Sequence, residues 1–434
     1  MSTATPTQMG PRPAAPPARA VLRVVSGNFL EMYDFQVYAF YAAAIGKTFF
    51  PTGSAFLSLM LSLGTFGAGF LMRPLGAVVL GAYTDRHGRR AGLLLSLALM
   101  AAGVLLIAVV PGYGTLGVLA PLLVLAGRLT QGFSAGAELG GVSVYLAEIA
   151  PPGRRGFWVS WQSASQQVAV VFAALLGAGL SAGLSHAQMA RWGWRVPFVV
   201  GCLIVPVLLL LRRSLPETGE FLARQERPGL ADSLRSLAAN AGRVARGALL
   251  VVLTTVSFYF ITAYTPTFGR AVLRLGETGT LIVTVAIGVS DFVWLPTMGA
   301  LGDRVGRRPL LLAAAGLFLL TAYPALLWLA AAPSHGRLLA VGLWLSLLYG
   351  SYNGALVAAL VEIMPPAART AGFSLAYSLA TALFGGFTPA ACTFLVHALG
   401  SRAAPGLWLS FAAACGLLAA WRLGRAGPAP APVP

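Results

Sequence analysis

The sequence predicts an all-α integral membrane fold, with twelve transmembrane helices in two pseudo-symmetric six-helix bundles. Three observations carry that expectation. The 434 residues are 57% hydrophobic and only 10% charged, whereas soluble chains carry about 25% charged residues. Apolar runs of roughly 20 residues, the length that crosses a bilayer core, recur throughout. Two motifs also occur twice, each pair separated by a similar length of chain.

Only helices and closed barrels satisfy backbone groups in lipid. The apolar runs are continuous rather than alternating, which selects helices. Their expected positions are 21–46, 55–83, 91–110, 117–147, 156–184, 195–213, 246–268, 278–302, 309–332, 337–362, 371–398 and 404–422. With both ends placed in the cytoplasm, cytoplasmic segments together with the helix ends that adjoin them carry 21 of the 30 basic residues, and periplasmic loops with their adjoining helix ends carry 7. That bias is the positive-inside rule. The formal charge of +17 is therefore a mark of topology in a bacterial inner membrane, and nucleic-acid binding is excluded.

The expected divisions are a disordered Pro/Ala-rich tail at 1–20 without a cleaved signal peptide, a first bundle at 21–213 and a polar cytoplasmic linker at 214–245. A second bundle at 246–423 and a tail at 424–434 follow. Cys202, Cys392 and Cys415 lie in apolar helices without ligand spacing, so they read as small buried hydrophobes. The four histidines form no cluster. The sequence predicts no metal, no cofactor and no catalytic residue, and a chain that acts as a monomer.

Gly81-Ala-Tyr-Thr-Asp85-Arg86-His-Gly88-Arg89-Arg90 recurs 218 residues later as Gly299-Ala-Leu-Gly-Asp303-Arg304-Val-Gly306-Arg307-Arg308. Glu148-Ile149-Ala-Pro151-Pro152 with Arg155 recurs 214 residues later as Glu362-Ile363-Met-Pro365-Pro366 with Arg369. An internal repeat is read before any function. Six helices per copy give both halves one orientation, related by an axis along the membrane normal. Transporters of this plan hold substrate between the halves near the midplane. The repeated loop charges sit at helix ends that water reaches. Asp85, Arg86, Arg89, Arg90, Asp303, Arg304, Arg307 and Arg308 are gating candidates, joined by Glu148, Arg155, Glu362 and Arg369. The alternative is simple anchoring at the interface.

Charges deeper in the membrane are costly, and default to a functional reading. Glu31, Asp34, Tyr38 and Tyr41 share one face of the first helix. Arg128, Gln131 and Glu138 form a stripe on the fourth. Arg73 precedes Asp85 by twelve residues, ~18 Å at 1.5 Å per residue, which puts it near the bilayer middle. Ser160, Ser163 and Gln167 share a face of the fifth helix, beside Gln162 and Gln166. Two buried arginines require anions. These are either internal (Glu31, Asp34 or Glu138) or the carboxylates of a substrate, which guanidinium binds bidentately. Burial disfavours an ionised carboxyl and a nearby arginine favours it, so substrate binding would shift protons on Glu31, Asp34 and Glu138. The second half offers Tyr259, Thr262, Asp291, Tyr349, Asn353, Tyr377 and Thr381 within its spans, and no arginine.

Gly27-Asn28-Phe29-Leu30-Glu31 with Asp34-Phe35, and Arg73-Pro74-Leu75-Gly76 running on to Arg90, resemble the metabolite:proton symporter branch of the major facilitator superfamily. Gly127-Arg128-Leu129-Thr130-Gln131-Gly132-Phe133-Ser134-Ala135-Gly136 with Glu138-Leu139-Gly140-Gly141 is similar to its citrate and tricarballylate symporters. So are Ser160-Trp161-Gln162-Ser163-Ala164-Ser165-Gln166-Gln167 and Phe258-Tyr259-Phe260-Ile261-Thr262. Gly372 to Ala376 and Gly385 to Pro389 extend the likeness into the second half.

The resemblance implies import of a tricarboxylate with protons by alternating access, with the loop motif helping to hold the outward-open state. Arg73 and Arg128 would clamp carboxylates. Gln131, Gln162, Ser163, Gln167, Tyr38, Tyr259 and Asn353 would shape the remaining contacts, and Glu31, Asp34 and Glu138 would handle protons. Energetics agree, because a trivalent anion entering a negative-inside cell opposes the field by about 2.3 kcal/mol per charge per 100 mV. The rival substrates are a dicarboxylate such as 2-oxoglutarate or a zwitterionic osmolyte. Rivals of other kinds are a non-transporting membrane sensor, an efflux pump of the same fold and a membrane enzyme.

Overall fold

The computed structural model describes residues 21, 25, 28–87, 89–136, 138–213, 235, 237–365 and 369–423. Within them the chain makes twelve helical crossings. The first half holds α1 (Asn28–Phe40, resumed at Ala42–Phe49), α2 (Ala55–Leu71, resumed at Arg73–His87), α3 (Arg89–Val109), α4 (Leu119–Ala135, resumed at Glu138–Ile149), α5 (Arg155–Gly183) and α6 (Val196–Arg213). The second half begins with α7, Ala241–Phe258 continued by wider π turns at Tyr259–Tyr264 and Phe268–Val272. Then come α8 (Glu277–Val305), α9 (Arg307–Ala331) and α10 (His335–Ile363). The last two are α11 (Arg369–Ala380, a π turn at Thr381–Gly385, then Thr388–Leu399) and α12 (Pro405–Trp421). The two tails and most of the 214–245 linker lie outside the described residues.

Seven crossings, α2, α5 and α7 to α11, are long and apolar enough to span a bilayer by length and composition alone. The polar stripes fall on α1 and α4, where Glu31, Asp34, Gln36, Arg128 and Gln131 are buried among other helices. That is the arrangement a bilayer enforces, since lipid offers no hydrogen bonds to a polar face.

The breaks in the helices position the polar residues. Pro74 has no N–H, so the ladder of α2 lapses beside it and the chain turns at Met72 before Arg73 restarts the helix. In α1 the chain leaves helical geometry at Tyr41. The π turns of α7 and α11 carry Tyr259, Thr262 and Thr381, and such turns recur at functional sites.

Close backbone approach then joins α2 to α4. A Cβ on Gly132 would collide with the Gly69 carbonyl, and one on Gly76 with the carbonyl of Phe133. Small residues at such crossings let membrane helices pack without a hydrophobic driving force. Gly132→Ala should therefore destabilise the protein by about 1–3 kcal/mol, the usual cost of overpacking. A lower apparent Tm in detergent checks this, and an unchanged Tm would refute it.

Both ends of the bundle are closed. At the end carrying the repeated loops, α11 packs on α2 and α4, with Ser374 seated against Gly140. At the opposite end the Phe56 and His397 rings stack at 3.9 Å, Phe387 covers Gly67, and Thr267 donates to the Ala39 carbonyl at 3.1 Å. The structure is an occluded state with its charged centre sealed from both sides.

Candidate functional site

Two buried ion pairs occupy the middle of the first half. Arg73 Nη2 donates to Glu31 Oε1 at 2.7 Å. Arg128 Nη1 donates to Gln131 Oε1 at 2.7 Å and lies 3.3 Å from Asp34 Oδ2. Arg128 is fully buried and Asp34 is 1% exposed. The pairing follows from the helices: Glu31 and Asp34 lie one turn apart on α1, while Arg73 restarts α2 and Arg128 faces them from α4. Of the internal partners open to the arginines in the sequence, Glu31 takes Arg73 and Asp34 takes Arg128. The Glu138 side chain lies outside the described residues.

These pairs leave hydrogen-bonding capacity in reserve. Nε and Nη2 of Arg128, Nε of Arg73, Oδ1 of Asp34 and Nε2 of Gln131 have no hydrogen-bond partner among the described residues. Buried polar groups are almost always bonded, so a cluster of such atoms marks a place where a polar ligand fits. The donors dominate, which favours an anion.

Aromatic rings pack around both guanidinium groups. Phe35 holds both, at 4.7 Å from Arg73 and 4.5 Å from Arg128. Phe70 lies 4.5 Å from Arg73, while Tyr38 and Phe66 lie 4.6 and 5.1 Å from Arg128. A desolvated cation–π contact contributes about 2 kcal/mol, enough to help hold each guanidinium in place. Tyr259 reaches in from the second half and packs edge-on to Phe66 and Phe70. The phenylalanines escaped sequence reading, because apolar rings on apolar helices carry no distinguishing signal.

The other candidates separate into two groups. Tyr38 donates to the Ser62 carbonyl at 3.4 Å. On α5, Ser163 donates to Gln162 Oε1 at 2.8 Å, and Gln162 Nε2 and both amide atoms of Gln167 are buried without a partner among the described residues. Asn353 is engaged within the second half, accepting from Thr254 at 2.8 Å and donating to the Tyr349 hydroxyl at 3.3 Å. Gln36 is a residue that sequence reading missed. It donates to Thr262 Oγ1 at 3.2 Å and so bonds α1 to the π turn of α7 across the two halves. Its signal was available as an amide next to the acidic face of an apolar helix.

At the loop end, Asp303 accepts from the backbone N–H of Gly156 at 2.7 Å and of Phe157 at 2.9 Å, in the first turn of α5. A carboxylate suits the positive end of a helix. Arg307 donates to Asp303 at 2.6 Å and lies 3.5 Å from Glu362. This network ties α5 of the first half to α8, α9 and α10 of the second. Arg308 donates to the Trp421 carbonyl at 3.1 Å, and Arg304 is exposed. Glu148 and Arg155 are exposed and form no ion pair among the described residues. Arg369 is half-buried. The side chains of Asp85, Arg86, Arg89 and Arg90 lie outside the described residues. Asp303→Asn should loosen this seal, because it removes the charge that faces both Arg307 and the α5 terminus. A cysteine placed at Ser374 should then react several-fold faster with a membrane-impermeant thiol reagent applied from the loop side. An unchanged rate would show that the contact is only an anchor.

Comparison with known proteins places this architecture. The family model "Sugar (and other) transporter" matches residues 20–235. The citrate-proton symporter of Salmonella typhi is 58% identical over 400 residues, covering 92% of each chain. That of Klebsiella pneumoniae is 57% identical over 406 residues, covering 94% of this chain and 91% of its own. The xylose transporter XylE from E. coli, in a partially occluded inward-open conformation, shares the fold with a TM-score of 0.73 at 20% identity, over 92% of this chain and 95% of that one. The relatives are transporters and not enzymes, and twelve crossings around a buried polar centre suit that role. The chain is a multi-pass membrane protein and belongs to the major facilitator superfamily, in its metabolite:proton symporter branch.

Proposed function

We propose that this protein imports citrate, or a close tricarboxylate, together with protons by alternating access. The observation that carries the reading is the pair of buried arginines, each neutralised by an acid on one helix and each with donors to spare. With both acids ionised, the four side chains sum to no charge. Protonating Glu31 and Asp34 releases two guanidinium groups for two carboxylates of the substrate. Removing the substrate re-forms the internal pairs and expels the protons. Binding of anion and proton are thereby linked, since each favours the other. The identity to named citrate-proton symporters over nearly the whole chain supports the choice of substrate.

Gln131, Gln162, Ser163, Gln167 and Tyr38 shape the first-half side of the site, with Tyr259 opposite and Asn353 supporting it from within the second half. Residues 21–213 and 246–423 rock about the centre, joined by the linker at 214–245. The Asp303 network, with Glu362, latches the loop end. Glu148, Arg155, Arg369, Arg304, Arg308 and the Asp85 loop act with it. The protein works as a monomer surrounded by lipid in the bacterial inner membrane, with both ends cytoplasmic, as the distribution of basic residues supports.

The test is uptake of labelled citrate into proteoliposomes with and without an inward proton gradient. Accumulation that depends on the gradient is expected. Gradient-driven uptake of 2-oxoglutarate or a betaine in its place, without citrate uptake, would retain the mechanism and overturn the substrate.

A further inference from the structure

Asp291 is an acid deep in the second half, far along the sequence from the arginine pairs, and the scheme above leaves it unused. It is fully buried on α8. Ser346 of α10 lies 2.6 Å from Oδ1, and Ser346 lies 2.8 Å from Ser290 Oγ. Oδ2 is buried without a partner among the described residues. No basic residue comes within ion-pairing distance among the described residues. The neighbouring sequence explains why: α5 carries no charge beyond Arg155, and α10 carries none between residues 338 and 361. Tyr349 of α10 lies within electrostatic reach of Asp291.

A carboxylate fully buried with no counter-ion among the described residues is strongly disfavoured in its charged form. The neutral acid fits better, because it carries a hydrogen to donate as well as oxygens that accept. With that hydrogen given to Ser346, the single hydrogen of Ser346 is free for Ser290, and the chain of three groups is complete. A metal cation is the poorer occupant. The site offers one carboxylate and two hydroxyls, and the described residues contain no group of three acid, histidine or cysteine side chains that could hold a metal ion.

The position also connects to the arginine centre. Tyr349 lies within electrostatic reach of Asp291 on one side and of Tyr259 and Tyr377 on the other. Those two tyrosines lie in turn within reach of Arg73 and Glu31. We infer that Asp291, bonded to Ser346 and backed by Ser290, is a second proton-binding site, located in the C-terminal half, that contributes one proton to the transport cycle. Its part in the cycle rests on the symport reading given above, whereas its protonation does not.

The test uses the full chain reconstituted in lipid, with two independent readouts. Infrared spectra at neutral pH without substrate report the carbonyl stretch of a protonated carboxyl. Wild type should show a band that Asp291→Asn removes and that Ser346→Ala shifts to higher frequency. A wild-type spectrum that neither variant changes would overturn the proton site, whatever the substrate proves to be. The second readout is the proton-to-citrate ratio from reversal potentials. Asp291→Asn should lower it by one while citrate counterflow persists, and Asp291→Glu should restore it. A ratio unchanged in Asp291→Asn would overturn the coupling role. Absence of citrate transport by wild type would strike the symport reading instead, and the infrared result would still decide whether Asp291 holds a proton.

Discussion

Arg128→Ala is expected to abolish gradient-driven citrate uptake. Truncating one partner of a buried, hydrogen-bonded charge pair costs about 2–5 kcal/mol, or on the order of 30-fold to several-thousand-fold in binding. Part of any effect comes from the fold, because Asp34 would be left buried and unpaired, a loss of about 3–5 kcal/mol in stability. The double variant Arg128→Ala with Asp34→Asn separates the two contributions. It removes both charges, so it should recover Tm and expression while uptake stays absent. Arg128→Lys is expected to fail as well, since an ammonium supplies neither the planar fork for a carboxylate nor a comparable surface for Phe35 and Phe66. If the double variant took up citrate within a few-fold of wild type, the arginine clamp would be wrong and Arg128 merely structural.

The second large effect concerns Asp34. Asp34→Asn preserves the shape of the side chain and leaves Arg128 without its internal anion. Citrate exchange across the membrane at equal pH should survive, because exchange needs only loading and unloading of the anion. Accumulation driven by an inward proton gradient should be lost. The sign follows from the coupling: lower external pH drives more protons inward and raises wild-type uptake, whereas the variant should respond to pH weakly or not at all. Glu31→Gln is expected to act in the same direction through Arg73. A full response to the gradient in both single variants would remove Glu31 and Asp34 from proton coupling. Exchange lost together with accumulation would instead point to a role in binding.

Much of the architecture is legible in one dimension because the bilayer allows so few solutions. Span length and the near absence of charge give the twelve crossings, and the repeated Asp–Arg loops give the two halves. The expected helix ends fall within a few residues of those observed for most crossings. The interruptions were not legible in the same way. The continuous apolar run of the second helix conceals the turn at Met72, although Pro74 signals it in retrospect. Nothing in the sequence around Tyr259 or Thr381 distinguishes a π turn from an α turn, since the difference lies in which carbonyl each N–H selects.

For the candidate site, the residue types were legible and the partnerships were not. Glu31, Asp34, Arg73 and Arg128 stand out because ionisable groups within apolar spans are costly, and that cost depends on composition alone. By itself the sequence determined that this is a twelve-crossing protein in two halves, with acids and arginines at membrane depth. Tertiary structure alone decided that Arg73 meets Glu31 and Arg128 meets Asp34. It also decided that Phe35 holds both guanidinium groups, that Asp303 caps α5, and that Asp291 meets a serine and no cation. The reason is physical. Burial cost is a property of each side chain, whereas an ion pair or a cation–π contact needs groups from different helices within a few ångströms, and that distance is set only when glycine contacts such as Gly69 with Gly132 fix how the helices cross.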